Sequence, residues 1–165
     1  MPDNAFTQPV TPVVDRALVA KSDSQIISGA RWFWWIAGLS LVNTVLMHGG
    51  SDTSFVIGLG FTMMSDAIFR EMEIPAIAFV IDALAIGAIF GLGWFAGKGH
   101  VWAFITGIVL YSIDALIYVP LEAWMSVGFH IFALVFIVKG MLALRAALKA
   151  AANPAEAAPP PVAVP

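Results

Sequence analysis

Cysteine is absent from this sequence of 165 residues, which excludes disulfides and thiolate metal sites. Charge is scarce as well. Asp, Glu, Lys and Arg make up 12% of the chain, about half of the roughly one quarter that a soluble domain carries to keep its surface wet. The net charge is only −3 and no dense cluster of Lys and Arg occurs, so a nucleic-acid partner is not expected. No segment alternates polar and apolar residues at period two, which excludes the strands of a membrane β-barrel. Enzyme motifs are missing too: there is no H-E-x-x-H, no G-x-S-x-G and no P-loop. Gly91-Leu92-Gly93 begins like a dinucleotide fingerprint but lies inside an apolar segment with no strand before it. Haem ligation between helices needs two embedded histidines, and only His130 lies in an apolar segment. No catalytic residue, metal-ligand set or cofactor is therefore expected.

What is present is apolar. Hydrophobic residues form 60% of the chain and its mean hydropathy is +0.88. Five apolar segments run from about Trp32 to Met47, Thr53 to Phe69, Ala76 to Ala96, Val101 to Val119 and Ala123 to Leu144. The last three reach the ~20 residues that a helix needs to cross a ~30 Å hydrocarbon core. The first two are shorter and carry Ser, Thr, Asn or Asp. Residues 1–28 read as a polar tail with Pro2, Pro9 and Pro12, in which residues 16–27 form at most a weak interfacial helix. It is not a signal peptide, since no apolar stretch precedes residue 32. Residues 29–146 form the transmembrane bundle. Residues 147–165 are Ala/Pro-rich, end near Pro159-Pro160-Pro161, and read as a disordered or polyproline tail.

The fold expected is all-α: a polytopic transmembrane helix bundle of five embedded helices, the alternative being four spans plus one short or re-entrant helix. Two signals differ on the second segment. If it only dips into the membrane, Arg16, Lys21, Arg31, Lys98, Lys139, Arg145 and Lys149 all fall on one side and only Arg70 opposes them, as the positive-inside rule favours. Against this stands a weak internal repeat that carries Gly49 onto Gly97, Ile57 onto Ile105 and Asp66-Ala67-Ile68 onto Asp114-Ala115-Leu116. Such a repeat implies five spans, and short loops point the same way. Trp32, Trp34 and Trp35 beside Arg31 form an interfacial belt, with Trp94, Trp102 and Trp124 also near segment ends.

Polar groups inside a bilayer are costly, so each needs a reason. Asp66, Asp82, Asp114 and His130 all stand near segment ends that face one side in the five-span arrangement, within roughly 5–11 Å of that face at 1.5 Å per residue. With four spans Asp82, Asp114 and His130 still share a level, joined by Asn43. Asp66 and Asp114 stand near helix C-termini, where a carboxylate opposes the dipole. Each therefore calls for a partner such as Arg70, protonated His130, a tyrosine hydroxyl or a bound cation. Tyr111 and Tyr118 flank Asp114 at i−3 and i+4 on one helix face. Ser126 and His130 share a face in the same way, and Ala83, Gly87 and Gly91 make a small-residue stripe that lets another helix approach. Two readings stand side by side: the acids tie helices together, or they bind an ion, proton or ligand.

The runs Arg31-Trp32-Phe33-Trp34-Trp35-Ile36-Ala37-Gly38-Leu39-Ser40, Ser54-Phe55-Val56-Ile57-Gly58-Leu59-Gly60 and Gly128-Phe129-His130-Ile131-Phe132-Ala133-Leu134 resemble a group of small uncharacterised bacterial multi-pass membrane proteins, over residues 30–145. The resemblance implies a bacterial inner or plasma membrane and a helical bundle, and no activity. The expected role is an accessory or structural membrane subunit, whose partners are the lipid bilayer and another membrane protein or a second copy of the chain. The alternatives are a small transporter or channel-like protein using the Asp/His layer for a cation, amine or proton, and a membrane-embedded enzyme acting on lipid or quinone.

Overall fold

The computed structural model describes residues 14–48 and 58–153. Their helices are α1 (Arg16–Ser22), α2 (Ser24–His48), α3 (Gly60–Glu71), α4 (Pro75–Gly97), α5 (Val101–Ile117) and α6 (Trp124–Ala152), and no strand occurs among the described residues. The chain is thus all-α. Among the described residues two helices, α4 and α6, are long and apolar enough to cross a membrane by length and composition. Helix α5 is apolar but shorter, at 17 residues.

Local chemistry sets the helix ends. The Asp15 carboxylate accepts from the Ala17 and Leu18 N–H groups, at 2.9 and 3.2 Å, and so caps α1. Asp23 turns the backbone extended and accepts from Gln25 N–H at 2.7 Å, ending α1 and opening α2. Residues 16–27 are therefore helical apart from this one break, a firmer arrangement than their weak pattern implies. Pro75 opens α4, where its missing N–H is not needed. Lys98 and Gly99 reverse the chain into α5, Gly99 with φ +81°. The Arg16 carbonyl lies where a Cβ on Gly99 would stand, so α1 rests across this turn.

Side-chain pairs fix the directions of the long helices. Trp34 stacks on Phe90 (5.7 Å) and Thr44 meets Asp82, so α2 and α4 run antiparallel. Gly29 packs against Gly140 and Trp32 against Phe136, so α2 and α6 are antiparallel as well. Phe33, Ile36, Phe104, Tyr111 and Ile137 fill the space between α2, α5 and α6 and are fully buried. One end of the bundle gathers Trp34, Trp94 and Trp102 in a connected set: Trp34 lies against Gly93, while Phe95 touches both Trp94 and Trp102. Lys98 sits 3.5 Å above the Trp94 ring at the same end.

Three elements differ from the sequence reading. Helix α3 has 12 residues, about 18 Å of helix, well short of a ~30 Å core. Its entry does not lie beyond the end of α2: Leu59 and Gly58 touch Ser40 and Asn43, back along α2 from His48. The stretch Thr53 to Ile57 of the expected second segment lies outside the described residues, as do residues 1–13 and 154–165 of the tails. Helix α6 continues to Ala152, into the stretch read as tail, because its Ala- and Lys-rich end is made of strong helix formers. The stripe Ala83, Gly87, Gly91 faces outward, and a Cβ on Gly87 or Gly91 would meet nothing within 4 Å. The close helix approach occurs instead at Gly29 and Gly140, where a Cβ on Gly29 would stand 2.8 Å from the Gly140 Cα.

Candidate functional site

The polar centre of the bundle is built around the first turn of α3. A helix begins with backbone N–H groups that have no partner inside the helix, and Leu59, at the N-cap of α3, supplies no side-chain bond. Its neighbours supply them. Leu59 N–H donates to Ser40 Oγ on α2 at 2.9 Å, and Ser40 in turn donates to the Ile36 carbonyl at 2.8 Å. Gly60 N–H donates to Asp114 Oδ2 and Phe61 N–H to Asp114 Oδ1, both at 2.8 Å. The Asp114 carboxylate of α5 thus caps another helix with both oxygens. Thr62 Oγ1 donates to the Leu59 carbonyl at 2.8 Å and closes the turn from inside.

Asp114 also meets α6. His130 Nε2 lies 2.9 Å from Asp114 Oδ2, and His130 Nδ1 lies 2.8 Å from the Ser126 carbonyl. A carbonyl only accepts, so Nδ1 carries a proton. The Nε2···Oδ2 contact needs a second proton between its atoms, since two lone pairs at that distance repel. Asp114 and His130 therefore share a proton across a contact that water does not reach, as His130 is fully buried and Asp114 is 5% exposed. Tyr111 stacks on the imidazole at 4.2 Å between ring centres, and Tyr118 lies on it at 5.1 Å. Tyr118 Oη also donates a long bond, 3.4 Å, to the Gly58 carbonyl. The Tyr111 hydroxyl is buried and finds no hydrogen-bond partner among the described residues.

Asp114, His130, Tyr111 and Tyr118 thus come together. Asp82 is fully buried on α4, where Thr44 Oγ1 of α2 donates to its Oδ2 at 3.4 Å. Asp66 is buried in the middle of α3, and Arg70 is exposed in its last turn. Asn43 is buried with its amide 3.0 Å from where a Cβ on Gly58 would stand. Among the described residues no three acid or imidazole side chains gather as a metal-ligand set. The decisive partners of Asp114 other than His130 are main-chain N–H groups of Gly60 and Phe61, and that of His130 Nδ1 is a main-chain carbonyl. No residue-type signal reports such groups; only the i, i+4 spacing of Ser126 and His130 hints at one of them.

Beside the carboxylate a cavity of about 280 Å³ opens between α4, α5 and the entry of α3. Its walls include Leu59, Phe61, Ala85, Ile89 and Ile113, and Asp114 is the one ionisable side chain among the described residues that line it. Chemically, the centre offers one shared proton and an apolar antechamber next to it. Comparison with protein-family models, with curated proteins and with solved structures finds no match to this chain.

Proposed function

We propose that the chain is an integral multi-pass protein of the bacterial plasma membrane, with α2, α4, α5 and α6 as four spans and α3 as a re-entrant half-helix, and that it serves as an accessory or structural membrane subunit. The membrane reading rests on what faces outward. Only 28% of the most apolar stretch of α4, and the same share of α6, is buried within the chain. A core helix of a water-soluble protein buries most of such a stretch, because exposed apolar area costs about 25 cal/mol per Å² in water. Leu84 and Phe90 on α4, Leu116 on α5, and Ile131 and Phe132 on α6 all lie exposed. In this topology both ends of the described chain share the face that holds Arg31, Lys98, Lys139 and the Trp cluster, which the positive-inside rule makes cytoplasmic.

The structural role rests on one observation: both oxygens of Asp114 are engaged by the chain's own groups. Gly60, Phe61 and His130 take up the carboxylate and tie α3, α5 and α6 into one unit. The test is Asp114→Asn in purified protein. A structural role predicts a loss of thermal stability in detergent. Unchanged melting would sink it.

A second reading, a small transporter for a proton or amine, is favoured by the position of Asp114 in the wall of the apolar cavity and by the unpartnered Tyr111 hydroxyl beside His130. Proteoliposomes loaded with a pH-sensitive dye separate the two. A proton leak or amine-driven flux that Asp114→Asn abolishes supports transport, and its absence in the wild-type protein removes this reading.

A further inference from the structure

A second cavity, of about 530 Å³, lies at the tryptophan-rich end between α2 and α6. Its walls include Ser24, Ser28, Arg31, Trp32, Trp35 and Phe136. On α2 the spacing 24, 28, 31, 35 is that of a single helix face, so two hydroxyls, one guanidinium and one indole are presented in a line. Trp32 closes the α6 side, stacked on Phe136 at 5.3 Å and edge-on to Phe132 at 5.4 Å. Arg31 is exposed, and no described acid forms an ion pair with it. The acid on this end of α2 is Asp23, whose carboxylate is turned onto the Gln25 N–H.

We propose that this cavity binds the phosphate headgroup of an anionic phospholipid. The inference rests on the membrane reading given above. The Arg31 guanidinium only donates and the serine hydroxyls can donate, which suits phosphate oxygens, and the guanidinium charge opposes the cationic group of a choline or ethanolamine headgroup. The remaining walls, Trp32, Trp35 and Phe136, are broad apolar surfaces that suit a glycerol backbone and the start of its acyl chains. A dissolved phosphate ion gains nothing from three aromatic walls. The level fits too, since tryptophans gather where headgroups lie, and the face is the basic one, where anionic lipid collects on the cytoplasmic leaflet.

The experiment uses the full chain in nanodiscs of equal phosphatidylglycerol and phosphatidylcholine, with retained lipids counted by native mass spectrometry. The wild-type protein should retain phosphatidylglycerol over phosphatidylcholine about five-fold, the preference supplied by roughly 1 kcal/mol from one basic side chain at an anionic surface. Arg31→Gln should abolish the preference. Ser28→Phe, which fills the cavity and leaves the charge, should abolish it as well, whereas Lys98→Gln, at the same end but outside the cavity walls, should keep it. A preference that survives Arg31→Gln, or that Lys98→Gln reduces as much, overturns the proposal in favour of diffuse surface charge. Release of the lipid by millimolar inorganic phosphate overturns the commitment to lipid. Flotation with vesicles is measured alongside: a chain that does not float fails the membrane reading, whereas one that floats without lipid preference fails only the headgroup site.

Discussion

Among single side chains, Asp114 ties three helices together. Its two oxygens accept from Gly60 and Phe61 N–H, and Oδ2 also meets His130 Nε2. A carboxylate near the end of its own helix opposes that helix's dipole, but here it lies at the start of α3, where a negative charge is favourable by about 0.3–1 kcal/mol or more when buried. Asp114→Asn keeps the shape and loses one acceptor, turning an amide NH₂ toward a donor. The expected cost is about 1–3 kcal/mol, the penalty of one buried group left unsatisfied, read as a lower midpoint in detergent unfolding. Asp114→Ala strands His130 and two N–H groups at once, and should cost about 3–5 kcal/mol, as when one member of a buried pair is removed. His130→Phe should cost less than Asp114→Ala, because the two α3 N–H bonds to the carboxylate survive; equal losses would mean that the imidazole, not the helix cap, carries the unit. The need of Asp114 for a partner was legible in the sequence, since the dipole argument demands one. That the partners include the first turn of another helix was not, because a main-chain N–H has no letter in the sequence.

Among elements, the contrast between two glycine-bearing faces is instructive. Ala83, Gly87 and Gly91 have the spacing of a packing stripe, yet they face away from the bundle, while Gly29 and Gly140 bring α2 and α6 into backbone contact. Spacing marks a face as able to pack and does not say against what. Gly29→Ala would push a Cβ to 2.8 Å from the Gly140 Cα, which no flexible side chain can relieve, and should destabilise by about 1–3 kcal/mol, as overpacking does. Gly87→Ala meets open space inside a helix and should leave stability unchanged or raise it by up to about 1 kcal/mol. Comparable losses from both would mean that the α4 stripe is covered in the folded protein. The same limit explains α3. A short or re-entrant helix was one of the two readings its sequence allowed, but its start is set by Ser40 and Asp114, far away in sequence, so where it begins was not legible. The bounds of α4 and α5 were legible to within about two residues, because Pro75, Gly97 and Gly99 punctuate them locally. The end of α6 was read too short because prolines beyond Asn153 colour the composition of a stretch that is itself Ala- and Lys-rich.

For the whole molecule, topology follows from where α3 begins. Helix α2 runs from the tryptophan end to the level of Asp82, where Thr44 meets it. The described chain resumes at Gly58, back beside Ser40 and Asn43, and α3 then leads down to the start of α4. In the topology proposed above, α3 enters and leaves by one face and adds no crossing, so α2, α4, α5 and α6 would give four. The internal repeat pairs Asp66 with Asp114, and both lie buried in the C-terminal half of their helices, Asp66 in α3 and Asp114 in α5, from which Asp114 caps α3. Re-entrant backbone is tolerated in a membrane only where its polar groups are covered by protein, and Ser40 and Asp114 provide that cover at the first turn. The chain has no native cysteine, so single cysteines report sidedness cleanly. Placed at Ser22, Lys98 and Asn153 in inverted and right-side-out vesicles, they should all label from one face with a membrane-impermeant maleimide, and those at Met72 and Leu121 from the other. Labelling of Ser22→Cys and Asn153→Cys from opposite faces means that the second segment crosses completely. In that case the capping of α3 by Asp114 does not describe the protein in its membrane, and Asp114→Ala should then leave the labelling pattern unchanged. With four spans, the same substitution releases the first turn of α3 and should make a cysteine at Thr62, which is buried in the folded protein, newly reactive from the Met72 face.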